Sequence, residues 1–280
     1  MFMLPKIPIG NWVDSIIEWA RITLAPAFDI ITLIIEFLVS GFRDTMLLIH
    51  PILLILIVMA LVWWIANKKA AIGTALGLLL AYDLQLWGPF IETLALVLSS
   101  TILALIVGLP LGILTARSDL VHKIVMPLLD FMQTMPPFVY LIPAVFFFGI
   151  GNVPGLIATV VFAMPPAIRL TGLGIRQVPE ELVEAADAFG STPGQKLFKV
   201  QLPLALPTIM AGVNQVIMLS LSMVVIAAMI GAGGLGAVVL RGIQRLDIAM
   251  GFEGGLAIVI TAIVLDRITQ SLTEKRKAKA

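Results

Sequence analysis

The sequence predicts an all-α, polytopic membrane protein with about seven transmembrane helices, and three observations carry this prediction. Of the 280 residues, 60% are hydrophobic and only 12% are charged, whereas a soluble domain carries about 25% charged residues. Seven stretches approach or reach the length of about 20 apolar residues that a bilayer requires. Most basic residues then fall in loops that a seven-span bundle places on one side of the membrane.

The seven predicted spans divide the chain into four regions. The second span is short, and Pro136 and Pro137 predict a kink or break in the fourth. The spans cover residues 47–66, 70–86, 91–116, 127–150, 154–173, 204–230 and 248–268. The regions are an N-terminal amphipathic or scaffold region (1–46), two peripheral transmembrane helices (47–86), a helical core (87–272) and a basic tail (273–280).

The N-terminal region has a different character from the spans. Trp12, Ile16 and Trp19 fall on one helical face, and charged residues occupy another. This pattern predicts an amphipathic helix in the membrane interface, with tryptophans at headgroup depth. A second apolar stretch, residues 27–40, contains Asp29 and Glu36. Three interpretations are open for it, an eighth span, a surface or scaffold helix, and a helix packed on the other spans; with its two acidic residues we favour the surface or scaffold helix.

The basic residues predict the orientation of the bundle. The loops after spans one, three and five and the C-terminal tail carry most of them, which places these segments and the C-terminus in the cytoplasm. Two groups do not follow the rule: Arg241 and Arg245 fall outside, as does the N-terminal region with Arg21 and Arg43. The net charge is only +1, so no nucleic-acid partner is predicted.

A mostly polar loop, residues 177–203, predicts two short helices separated by a tight turn. Pro179 suits the first position of one helix, and Gly190 suits the left-handed conformation that ends it. Thr192 and Gln195 predict a capping box at the start of the second helix, which Pro203 is expected to end. An exposed short helix of this kind fits a groove on a soluble partner and transmits rigid-body motion to the spans.

The same loop resembles a known motif. Glu184-Ala185-Ala186, then Gly190, and nine residues later Val200-x-Leu202-Pro203, is similar to the EAA loop of ABC-importer permeases, with Val200 in place of isoleucine. Residues 131–143, 163–171 and 229–236 resemble the glycine betaine/proline betaine permeases of the ProW and OpuA type. The resemblance runs over residues 85–270. It implies that these residues form the contact with the ATPase: Glu184, Ala185, Ala186, Phe189, Gly190, Leu202 and Pro203.

This resemblance implies a type I ABC importer permease fold in a prokaryotic cell membrane. The implied partners are a second copy of the chain, two ATPase subunits and an external substrate-binding protein, with lipid around the bundle. The chain itself has no GxxxxGK[ST] phosphate loop, so ATP and Mg²⁺ are expected on the ATPase subunits, and no enzyme activity or cofactor is predicted for this chain. The implied substrate is a quaternary amine such as glycine betaine. Alternatives are choline, carnitine or an amino acid, an ATP-independent carrier or channel, and a structural scaffold.

Polar residues inside predicted spans are candidates for the translocation path. Such groups are costly in lipid and usually face the interior of a bundle. Lining of the path and hydrogen bonding between helices are both open interpretations for them. The glycine-rich run 231–236 is likewise either a hinge or gate or a tight turn that permits close packing. No metal site is predicted. The candidate path residues are Asn214, Gln215, Ser220, Ser222 and Gln133.

Overall fold

The computed structural model describes residues 8–277, and gives the backbone alone for residue 9 and residues 272–277. Within this range the chain is helical and contains no strand. The helices are α1 (Ile9–Thr23), α2 (Ala25–Leu48), α3 (Pro51–Ile65), α4 (Lys68–Asp83), α5 (Trp87–Arg117), α6 (Asp119–Thr134), α7 (Pro137–Phe148), α8 (Asn152–Ala163), α9 (Pro165–Arg176), α10 (Glu180–Ala188), α11 (Pro193–Lys196), a π-turn (Leu197–Gln201), α12 (Leu202–Ala228), α13 (Gly234–Arg245) and α14 (Ile248–Lys277).

Five helical segments in the described part are long and apolar enough to cross a membrane, and a bent pair makes a sixth. The bent pair is α6 and α7, which meet at 97°. This confirms the break predicted at Pro136 and Pro137, since a proline cannot donate to the preceding turn. The five segments are Ala25–Leu48, Trp87–Arg117, Asn152–Arg176, Pro193–Ala228 and Ile248–Ser271.

In the N-terminal third, the structure departs from the sequence prediction at α2 and in the lengths of α3 and α4. Helix α2 has the length and hydropathy of a span, so the structure favours the interpretation that the sequence analysis ranked second. Helices α3 and α4 occupy the first two predicted spans but have 15 and 16 residues. At 1.5 Å per residue they measure roughly 22–24 Å, against about 30 Å of hydrocarbon. They pack against each other and against α14.

The core forms where α12 packs against α5, α8, α9 and α14. Small residues permit the close approach: a Cβ on Gly112 would lie 2.6 Å from Thr171, and one on Gly212 would lie 3.2 Å from the carbonyl oxygen of Pro166. Membrane helices associate through such close contacts because lipid offers no hydrophobic driving force between them. The core therefore holds the polar loop at one end of α12 and the glycine-rich run at the other.

Candidate coupling loop and translocation path

Helix α10 ends in the geometry that the sequence predicts. Gly190 has φ +73°, its N–H donates to the carbonyl of Asp187, and the N–H of Ser191 donates to the carbonyl of Ala186. These two bonds form a Schellman cap, which satisfies carbonyls that the helix leaves free. Helix α11 begins with the predicted capping box: Thr192 N–H donates to Gln195 Oε1 at 2.9 Å, and Gln195 N–H to Thr192 Oγ1 at 3.3 Å.

The two short helices present a defined outer surface. Phe189 is 92% exposed, and Glu184 and Ala185 are also exposed. Ala186 is buried, so its methyl group packs inward and is not part of the face offered to a partner. Lys196 Nζ lies 2.8 Å from Asp187 Oδ2, an ion pair that joins α11 to α10. The side chain of Glu184 makes no hydrogen bond or ion pair with the described part of the chain, so its carboxylate is available to another chain.

The end of the loop corrects one prediction. Pro203 does not end the second helix; it is the second residue of α12 and lies inside the continuous helical segment Pro193–Ala228. The preceding π-turn makes this possible, because Leu202 N–H donates to Leu197 O five residues back and a proline in the first turn of α12 needs no donor. Leu197 packs with Ile175 and Ala205, and Leu202 joins this cluster. The loop is thus mechanically continuous with α12.

The predicted path residues separate into groups. Gln215 and Ser222 are exposed, seven residues apart on one face of α12, and Gln133 is exposed on α6. Ser220 is 1% exposed and lies between α12, α5 and α8, where it lines a small cavity with Ser100 and Thr159. The structure therefore brings Gln215 and Ser222 together and places Ser220 in a helix contact.

Asn214 has a partner that the sequence analysis did not identify. Its Nδ2 donates to Asp266 Oδ1 at 3.1 Å, and Gln270 Nε2 donates to the same carboxylate at 2.8 Å. The bond from Asn214, which lies near the middle of α12, joins α12 to α14 in a partly buried position, whereas Gln270 and Asp266 belong to the same helix. The signal was present in the sequence, since Asp266 and Arg267 interrupt the last predicted span. An ionisable residue within a span usually faces the bundle interior or water.

The other end of the bundle contains a polar clamp that sequence reasoning missed. Glu92 Oε2 accepts from Gly234 N–H at 2.8 Å, Thr93 Oγ1 from Leu235 N–H at 2.8 Å, and Asn152 Oδ1 from Gly233 N–H at 3.0 Å. These side chains of α5 and α8 satisfy the free N–H groups at the start of α13.

The glycine-rich run fits tightly against this clamp. A Cβ on Gly233 would lie 2.2 Å from Glu92 Oε1, and one on Gly236 would lie 2.2 Å from Val224 O. Gly234 has φ +77°. The structure thus favours the tight turn, the second of the two interpretations of residues 231–236.

Comparison with known proteins identifies the family. The family model described as "Binding-protein-dependent transport system inner membrane component" matches residues 108–275. The glycine betaine transport system permease protein OpuAB of Bacillus subtilis is 52% identical over 279 residues, covering 100% of this chain and 99% of the relative. The glycine betaine/carnitine permease GbuB of Listeria monocytogenes is 52% identical and covers 99% of both chains. ProW of Escherichia coli is 50% identical over 98% of this chain and 77% of its own length.

Solved structures agree with the fold. The inward-facing MetNI methionine ABC transporter matches with a TM-score of 0.61 at 22% identity, covering 66% of this chain and 92% of the other. At this identity the likeness concerns the fold alone, and it confirms the type I importer architecture predicted from the resemblance. The family match and the full-length relatives support one conclusion: the chain belongs to the inner-membrane components of binding-protein-dependent ABC transport systems.

Proposed function

We propose that this chain is the membrane-spanning permease subunit of an ABC importer for glycine betaine and related quaternary amines. The observation that carries the proposal is the full-length similarity to permeases named for glycine betaine transport. One relative is also named for carnitine, so carnitine is the first competitor to examine. The chain forms the passage and couples it to ATP hydrolysis on other subunits.

The coupling role rests on the shape of the loop. Phe189 projects from the end of α10, and Glu184 and Ala185 lie exposed beside it. This surface is suited to a groove on an ATPase subunit, with Phe189 as the inserted side chain. Because the π-turn connects the loop directly to α12, a displacement of α10 and α11 reaches the middle of the bundle. Gly190, Leu202 and Pro203 shape and anchor the loop and do not form the contact themselves.

The passage is proposed to form between two copies of the chain. Gln215 and Ser222 lie on an exposed face of α12, and exposed polar groups near the middle of a span are costly against lipid. A second copy facing this surface would enclose a mostly neutral channel. Gln133 on α6 is proposed to line its cytoplasmic mouth. Asn214 supports the channel wall through its bond to Asp266.

The orientation can be tested with single cysteines, because the sequence contains none. A cysteine at Ser191 is expected to react with an impermeant maleimide only from the cytoplasm, and one at Gln244, on the exposed end of α13, only from outside. A cysteine at Ser15 in α1 tests whether α2 crosses the membrane or lies on its surface. If α2 crosses the membrane, Ser15 labels from the cytoplasm, whereas a surface α2 in the seven-span arrangement leaves it outside. Labelling of Gln244 and Ser191 from the same side would contradict the orientation.

The assignment of ATP hydrolysis to separate subunits gives a second test. The purified chain alone is expected to show no ATP hydrolysis, because it lacks a phosphate loop. A tagged chain expressed with its ATPase partner is expected to copurify with it. The complex should hydrolyse ATP faster when the substrate-loaded binding protein is added. Hydrolysis by the chain free of a second polypeptide, or an ATPase that never copurifies, would contradict the assignment.

A further inference from the structure

A cavity of about 430 Å³ lies between α2 and the turn that joins α7 to α8. Its wall includes a carboxylate, a guanidinium, an aromatic ring and an amide, contributed by Glu36, Arg43, Phe148 and Asn152. Ligand pockets for small molecules have about this volume, usually 300–1,000 Å³, with a few convergent polar groups. The cavity is separate from the coupling loop and from the exposed face of α12.

The two charged residues of the cavity retain unused bonding capacity. The carboxylate of Glu36 makes no hydrogen bond or ion pair with any group that the structure describes. Arg43 donates through Nε to Asp44 at 2.9 Å, and its terminal nitrogens make no hydrogen bond with any group that the structure describes. Glu36 also lies in the middle of α2, a helix with the hydropathy of a span. An unpaired carboxylate on such a helix is unfavourable against lipid unless a cation or water compensates it.

The positions of the two charges suit a ligand with two opposite charges. Glu36 and Arg43 are seven residues apart, two turns of one helical face, which separates their Cα atoms by about 10 Å along the axis. Their side chains extend toward the same cavity. The space left between the carboxylate of Glu36 and the guanidinium of Arg43 fits a molecule whose positive and negative groups are a few bonds apart. A simple anion would leave Glu36 without a partner, and a simple cation would leave the terminal nitrogens of Arg43 unused, although its Nε is paired with Asp44.

The aromatic side chain that lines the cavity is suited to bind the positive group of such a ligand. Phe148 lines the cavity, and Phe28 packs against Phe147 at 4.6 Å and against Phe148 at 5.3 Å between ring centroids. Ring faces attract ammonium groups, including those that carry no N–H donor. Asn152 forms another part of the wall and also binds Gly233 N–H. The cavity is thereby connected to the clamp at the start of α13.

We propose that this cavity binds a zwitterion, with its ammonium group between Glu36 and Phe148 and its anionic group at Arg43. Two sources offer this chemistry, a free zwitterionic osmolyte and the headgroup of a zwitterionic phospholipid. The site goes beyond the proposed function, which does not require it. The osmolyte as ligand rests on the proposed function, whereas the phospholipid headgroup as ligand does not.

The test uses the purified full-length chain in nanodiscs, without a binding protein. In discs of phosphatidylglycerol alone, equilibrium dialysis with labelled glycine betaine measures osmolyte binding. In mixed discs, mass spectrometry after mild delipidation measures the phosphatidylethanolamine that stays bound. Glu36→Gln and Arg43→Gln are each expected to weaken the ligand by about ten-fold, because each removes a charge-assisted contact. Asp29→Asn, a carboxylate on the same helix outside the cavity, is the matched control and should bind normally.

Saturable betaine binding that the cavity variants lose identifies the osmolyte, and selective phosphatidylethanolamine retention that they lose identifies the lipid. Thr32→Trp fills the cavity without altering a charge, and it should abolish either signal in a protein that stays folded. The proposal is overturned if neither ligand binds saturably, or if binding survives all three cavity variants. Wild-type uptake is measured separately, since its failure would contradict the proposed function and leave both binding results unaffected.

Discussion

Gly190→Asp and Glu184→Lys are each expected to abolish transport while the protein still inserts into the membrane in near-normal amounts. Gly190 adopts φ +73°, and a side chain in that conformation costs roughly 1 kcal/mol or more. Aspartate also adds negative charge beside Asp187 at the negative end of the α10 dipole. Glu184 has no partner within the described chain, so reversal of its charge affects only what binds from outside.

Three measurements on each variant separate coupling from folding: membrane abundance, copurified ATPase, and hydrolysis stimulated by the loaded binding protein. We expect normal abundance with a dissociated ATPase or unstimulated hydrolysis. Gly194→Ala is the matched control, because it lies in the same loop, has no neighbour within 4 Å of an added Cβ and has no positive φ. Normal uptake by both loop variants would show that α10 is not the coupling element.

Gly236→Ala is expected to destabilise the whole bundle. Its added methyl group would lie 2.2 Å from Val224 O and 2.7 Å from the carbonyl carbon. These are backbone atoms of α12, so relief requires a shift of α12 against α13. Overpacking of this kind costs typically 1–3 kcal/mol, which corresponds to a fall of about 2 °C or more in the midpoint of thermal unfolding for a chain of this length.

Gly255→Ala provides the control for that substitution. Gly255 lies in α14 with no atom within 4 Å of an added Cβ, and alanine is the better helix former by about 1 kcal/mol. Its unfolding midpoint should match or exceed that of the wild type. The comparison is made by thermal unfolding in detergent with intrinsic tryptophan fluorescence. Equal midpoints for the two variants would mean that the contact of Gly236 with α12 is not tight in the folded protein.

Local sequence patterns were sufficient to predict the structure of those segments whose conformation depends only on their own residues. The span predicted at 204–230 is α12, Leu202–Ala228, because a long apolar run dictates a helix in lipid. The Thr192–Gln195 capping box and the cap at Gly190 formed as predicted, since each depends on neighbours within a few residues. The break at Pro136 followed from the missing N–H of proline.

Features that depend on distant residues were not predictable in this way. Asn214 lies 52 residues from its partner Asp266, and Glu92 lies 142 residues from Gly234. Nothing in either local sequence identifies the other, so the polar residues of α12 remained ambiguous between path and helix contact. Pro203 was misjudged because its usual effect on a helix was offset by the π-turn before it. Helix α2 was ranked as a surface helix because Asp29 and Glu36 outweighed its length.

The most direct test of the central claim is ATP-dependent uptake of labelled glycine betaine into proteoliposomes that contain this chain, its ATPase partner and the binding protein. The proposed function predicts accumulation above the external concentration when ATP is enclosed on the side of the coupling loop. It also predicts loss of that accumulation with Glu184→Lys and its persistence with Gly194→Ala. Uptake that continues without ATP or without the ATPase subunit would contradict the claim and indicate an autonomous carrier or channel.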